Sequence, residues 1–84
     1  MFIIAKAVKE HEFMYKKSSM ILCNSKKQAT QLADFMNSHN DTTRADWKLK
    51  ENETWYVYEI DEYDSVPQYK IKNTKGNIVI VENK

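Results

Sequence analysis

Cys23, His11 and His39 are the residues whose types invite a metal or a nucleophile. A metal site needs several nitrogen, sulfur or carboxylate ligands converging, usually with at least one local pair. His11 and Glu12 are adjacent rather than four apart on a helix, while His39 and Cys23 each stand alone in sequence. The spacing therefore predicts no metal and no cofactor. His11 reads as a surface-loop residue, His39 as a group at the negative end of a helix dipole, and Cys23 as a small buried thiol. Nucleophilic catalysis would need a base and an orienting group beside the thiol. Cys23 does precede a helix, where a thiol pKa can fall, but it closes an apolar run with neither histidine nearby in sequence. A single glycine, Gly76, cannot build a phosphate loop, a dinucleotide fingerprint or a nucleophile elbow. The expectation is a protein that is not an enzyme and has no catalytic residues.

Binding chemistry offers two patterns. Between Glu51 and Asp64 the chain carries Glu51, Glu53, Glu59, Asp61, Glu62 and Asp64 with no basic residue among them, interleaved with Trp55, Tyr56, Tyr58 and Tyr63. Aromatic side chains supply rigid contact area, and surrounding carboxylates orient a basic partner. This segment predicts a protein partner with a basic surface, with Trp55 and Tyr63 as apolar anchors and the six acids as charged contacts. A plainer reading makes one aromatic face core and the acids solubilising. The alternative is nucleic-acid binding by Lys16, Lys17, Lys26 and Lys27, the latter pair at the positive end of a helix dipole. Thirteen basic and twelve acidic side chains leave a net charge of +1, which favours weak nucleic-acid binding or none.

Eighty-four residues predict one domain, 1–84, with a thin core. One cysteine permits no internal disulfide. The run Met1 to Ala5 is too short for a signal or membrane segment, so a cytoplasmic protein without a membrane partner is expected. Twelve Lys against one Arg, with seven Asn and seven Ile, is the usage of an A/T-rich genome, as in many bacteriophages and mobile elements. The most concrete function these readings give is a phage or mobile-element accessory protein that inhibits a host or defence protein.

The elements that must position these residues follow from periodicity. Ala29, Leu32, Ala33 and Met36 recur on one helical stripe that Phe35 widens, predicting a helix from Ser25 to His39. Ser25 and Gln28 have capping-box spacing. Strands are expected over Phe2–Val8, Ser19–Cys23, Thr54–Ile60, Tyr69–Lys72 and Ile78–Val81, with a turn over Asn73–Asn77. Thr42–Trp47 reads as loop or a helical turn. The predicted fold is α+β in the order ββαβββ, a small antiparallel sheet with one helix packed on it.

Ile3-Ile4, Met20 to Cys23 and Ile78 to Val81 are apolar at successive positions, so both sheet faces receive apolar side chains. One helix covers one face. Either a second copy or partner covers the other, giving a possible homodimer, or the loops Glu10–Ser18 and Asn40–Asn52 fold back over it.

Overall fold

The computed structural model describes residues 1–40, 45–61, 66–74 and 77–83. Among these residues five strands, β1 (Phe2–Val8), β2 (Ile21–Cys23), β3 (Glu53–Glu59), β4 (Tyr69–Thr74) and β5 (Asn77–Glu82), form one sheet with one α-helix, α1 (Lys26–Ser38). The chain order ββαβββ and the α+β class are as predicted. The strand order is β3-β1-β2-β4-β5.

The sheet is mixed rather than wholly antiparallel. β1 pairs antiparallel with β2 and with β3, so those two neighbours run the same way. β4 lies against the far side of β2 and runs parallel to it, through Ile21↔Tyr69 and Leu22↔Lys70. Only β4 and β5 form the local antiparallel hairpin that the sequence advertises. Its connection, the turn expected over Asn73–Asn77, includes residues 75–76, which lie outside the described residues.

Local chemistry sets the helix limits. Ser25 is extended (φ −156°) and its hydroxyl accepts from Gln28 N–H at 3.1 Å. Gln28 Oε1 accepts from Asn24 N–H at 2.8 Å, one residue earlier than a capping box requires. At the other end His39 N–H donates to Phe35 O at 2.9 Å, and His39 stacks on the Phe35 ring with centroids 4.2 Å apart. Phe35 is therefore not part of the apolar stripe. It is 55% exposed, because the buried stripe of α1 consists of Ala29, Leu32, Ala33 and Met36.

Each sheet face has its own core. Under α1 lie Ile4, Ile21, Cys23, Trp55 and Ile71, joined by Trp47. Trp47 comes from a 3₁₀ turn, Ala45–Trp47, so part of the ambiguous Thr42–Trp47 stretch is helical; residues 42–44 lie outside the described residues. The Trp47 ring meets Tyr69 edge-on, with centroids 5.4 Å apart. On the opposite face Ile3, Ala5 and Met20 have no exposed area, with Tyr15, Leu22, Tyr58 and Ile60 against them.

The loop between β1 and β2 covers that second core. Beyond Ile4, β1 outruns the short β2, and the loop takes over its hydrogen bonding. Lys6 N–H donates to Ser19 Oγ at 2.8 Å, and Lys16 N–H donates to Lys6 O at 2.8 Å. Ser19 belongs to a 3₁₀ turn, Lys17–Ser19, rather than to the strand expected from Ser19 onward. A homodimer through an uncovered face thus loses its reason at this part of the sheet. In the other loop considered for this role, the described residues Trp47 and Leu49 pack on the helix side instead.

Candidate interaction surface

Strand geometry separates the residues that the sequence places in one acidic-aromatic patch. Side chains alternate along β3, so Glu53, Trp55 and Val57 share the helix face while Thr54, Tyr56 and Tyr58 take the other. Trp55 is 2% exposed and its backbone is held by α1. Asn37 Nδ2 donates to Trp55 O at 3.1 Å, and Trp55 N–H donates to Asn37 Oδ1 at 2.9 Å. A side chain buried this way does not fit the expected role of exposed anchor.

Glu53 is also withdrawn from solvent. Its carboxylate meets Lys16 Nζ at 2.6 Å and accepts from Lys50 N–H at 2.7 Å. Burial pushes its pKa up, but the Lys16 hydrogen bond, the Lys50 amide and the charges of Lys16 and Lys6 outweigh that and hold it below the ordinary value. Lys6 is itself 8% exposed, donates to Lys48 O at 3.3 Å, and lies 5.9 Å from the Trp55 ring centroid.

The remaining acids are split between the ends of β3. Glu51 is exposed before the strand, in a turn where Asn52 takes φ 70°; Glu59 and Asp61 are exposed at its far end. At about 3.3 Å per residue, Glu53 and Glu59 stand roughly 20 Å apart. The Glu51 end is crossed by Lys16, so it is not an unopposed negative patch. Glu62, Tyr63 and Asp64 lie outside the described residues.

The lysine pairs are likewise not one surface. Lys16 is committed to Glu53. Lys17 is exposed in the 3₁₀ turn that precedes β2, whereas Lys26 and Lys27 are exposed on the first turn of α1 that follows it. β2 stands between them.

What the fold does bring together is a tyrosine cluster with a projecting loop. Tyr15 and Tyr58 have ring centroids 4.6 Å apart, and Tyr56 meets Tyr58 at 6.4 Å. The Tyr58 hydroxyl donates to the carbonyl of Glu12. Burial pushes the Tyr58 phenol up to about 12, with the Glu12 charge and the neighbouring tyrosines adding to it. Partial desolvation and the Glu12 carboxylate raise Tyr56 as well. Further bonds brace the loop: Lys9 N–H to Asn52 O (2.9 Å), His11 N–H to Val8 O (2.8 Å) and Met14 N–H to His11 O (3.0 Å).

This bracing holds two large apolar side chains in water. Phe13 is 77% and Met14 67% exposed, beside the turned-in Tyr15. Sequence reasoning read the loop only as a cover and missed them. The signal was present: Phe13-Met14-Tyr15 is an apolar triplet with no strand or helix period to bury all three.

Cys23 is positioned as an inert thiol. Its Sγ lies 3.6 Å from Ile21 O in the helix-side core, and desolvation pushes its pKa up to about 11 despite a backbone hydrogen bond to Ile4. Among the described residues no group of three or more His, Cys, Asp or Glu side chains could hold a metal ion, and no helix is long and apolar enough to cross a membrane. Comparison with protein-family models, curated proteins and solved structures finds no match to this chain.

Proposed function

We propose that this chain is a non-enzymatic protein-binding module whose primary contact is the Phe13–Met14 loop tip. The observation that carries the reading is the exposure of both side chains on a loop braced by Tyr58 and by its own backbone bonds. A rigid loop presents apolar area at low entropic cost, the property that makes a few residues dominate an interface. Glu10 and Glu12 beside the tip, with Tyr56 behind it, supply a polar rim. The acidic-aromatic partner surface is thereby moved from Trp55 and Tyr63 to Phe13, Met14 and Tyr56. Glu59 and Asp61 remain exposed acids at the far end of β3, outside this contact.

The lysine- and asparagine-rich composition supports a phage or mobile-element origin, and with it a host protein as the target. Nucleic-acid binding is the weaker reading, because Lys16 is spent on Glu53 and β2 separates the two lysine pairs. The test is affinity capture from host lysate, with and without nuclease, comparing wild type with Phe13→Ser/Met14→Ser. A partner kept after nuclease and lost in the variant is the expected result. Capture by the variant at wild-type strength overturns the site, and capture abolished by nuclease overturns the class.

A further inference from the structure

The two edges of the sheet are treated differently. At the β3 edge, the pair Met1–Ile60, where Ile60 N–H donates to Met1 O at 2.9 Å, sets an alternation that points the N–H and C=O of Trp55 away from β1. Asn37 takes both groups, as an adjoining strand would. At the β5 edge, Asn83 N–H donates to Gln68 O at 2.8 Å. The same alternation makes Val79 and Val81 exchange bonds with Lys72 and Lys70, so Ile78 and Ile80 direct their backbone groups outward. β5 has no proline within it and no lysine, the usual guards of an edge. Ile78 and Val79 are 48% and 43% exposed.

We propose that β5 pairs antiparallel with β5 of a second copy, about a two-fold axis at Val79. Ile78 and Ile80 of each copy then exchange N–H···O=C bonds with Ile80 and Ile78 of the other. On the helix face isoleucine meets isoleucine, and on the opposite face valine meets valine, so the strand is its own complement. The antiparallel direction makes the contact isologous, each copy offering the outward groups of Ile78 and Ile80 to the same two residues of the other. The Asn37 block selects closure, because a β5-to-β3 contact would propagate without limit and β3 is occupied at its centre. The six residues of β5 fall short of the about 20–30 residues a side of a standard interface, so the dimer is weak and concentration-dependent.

Sedimentation velocity on the whole chain, from low to high micromolar, tests this. A shift from monomer to dimer is expected. Ile78→Lys/Val79→Lys stays monomeric with wild-type circular dichroism, and so does Ile78→Pro, which removes an outward N–H while leaving the β4 ladder intact. Val79→Cys forms a disulfide dimer on mild oxidation, since facing non-hydrogen-bonded residues stand about 4.5 Å apart, and Gln31→Cys on the exposed side of α1 does not. A wild type monomeric throughout, a dimer that survives these variants, growth beyond the dimer, or equal cross-linking at both cysteines overturns the proposal. Binding of a foreign strand at this edge without any dimer overturns it too. Phe13→Ser/Met14→Ser dimerises like wild type, which keeps this pairing separate from the loop-tip reading.

Discussion

Asn37 stands to Trp55 as a strand would stand to its neighbour. One side-chain amide satisfies both outward backbone groups of the edge residue, at 2.9 and 3.1 Å, and so pins α1 to β3 while closing the edge. Asn37→Ala leaves those groups without their protein partner. The expected cost is about 1–2 kcal/mol, between a typical net hydrogen bond and a full desolvation penalty. Urea unfolding measures it. Asn37→Asp, which keeps the acceptor for Trp55 N–H but sets a carboxylate against Trp55 O, is expected to recover no more than part of the loss. Wild-type stability in Asn37→Ala would remove the amide from any structural role.

The Lys16–Glu53 pair predicts a pH dependence. The folded-state pKa of Glu53 lies below its ordinary value, so its contribution to stability is complete above the unfolded glutamate pKa and disappears as pH falls through the depressed folded value. Glu53→Gln is expected to lower stability at neutral pH and to flatten the acid limb of the stability curve. Lys16→Met should cost about 1.5–3 kcal/mol, the range for a hydrogen bond to a charged group, because it leaves a buried carboxylate short of a partner. Thermal melts between acid and neutral pH check both. An acid limb unchanged in Glu53→Gln would contradict the assignment.

How much of this was legible in the sequence depends on the range of the cause. Helix α1, its Ser25 cap and its buried stripe follow from contacts within a few residues, and they appear as expected. Phe35 does not, because the stripe of Ala29, Leu32, Ala33 and Met36 leaves it one position off the sheet-facing side. The parallel β2–β4 pair was invisible, since no local pattern says which distant strand will adjoin β2. The acidic segment misled for a physical reason. Acids that crowd in one dimension are spread along an extended strand, and Lys16 arrives from a separate loop to neutralise Glu53. Alternation alone would have set Trp55 and Tyr56 on opposite faces. Placing Trp55 in the core needed α1, and placing Phe13 and Met14 in water needed the fold.

Tyr58 straps the covering loop to the sheet, and its phenol is pushed up to about 12. A pKa raised above the unfolded value contributes stability that is complete below the unfolded tyrosine pKa and lost as pH rises through the folded one. Ultraviolet titration is therefore expected to show a late tyrosine step near pH 12 from Tyr58, and Tyr58→Phe should abolish that step. The same variant frees the Glu12 carbonyl at a cost of about 0.5–1.5 kcal/mol. Amide exchange should rise across residues 9–18 more than in α1. Uniform exchange changes would mean that the strap does not act on the loop.

Cys23 should be silent in the folded chain. Its burial and a pKa of about 11 leave almost no thiolate at neutral pH. Titration with a thiol reagent is expected to detect it only in denaturant. Fast modification of the native protein would show the strand β2 and helix α1 opening there.

Phe13 and Met14 separate stability from binding. Side chains 77% and 67% exposed contribute little to the folded state, so Phe13→Ser and Met14→Ser should each change unfolding free energy by no more than about 0.5 kcal/mol. If the loop tip is the anchor, the same substitutions should each weaken partner capture by about 1–2 kcal/mol or more, the loss typical of an interface hot spot. Charge reversal at Glu59 and Asp61, at the far end of β3, should cost far less and should act mainly on the association rate and its salt dependence. The order of effects is the deciding measurement. Loss of capture with Glu59→Lys/Asp61→Lys but not with Phe13→Ser would return the contact to the acidic segment. Loss with Phe13→Ser alone, at unchanged stability, would fix it on the loop that Tyr58 holds.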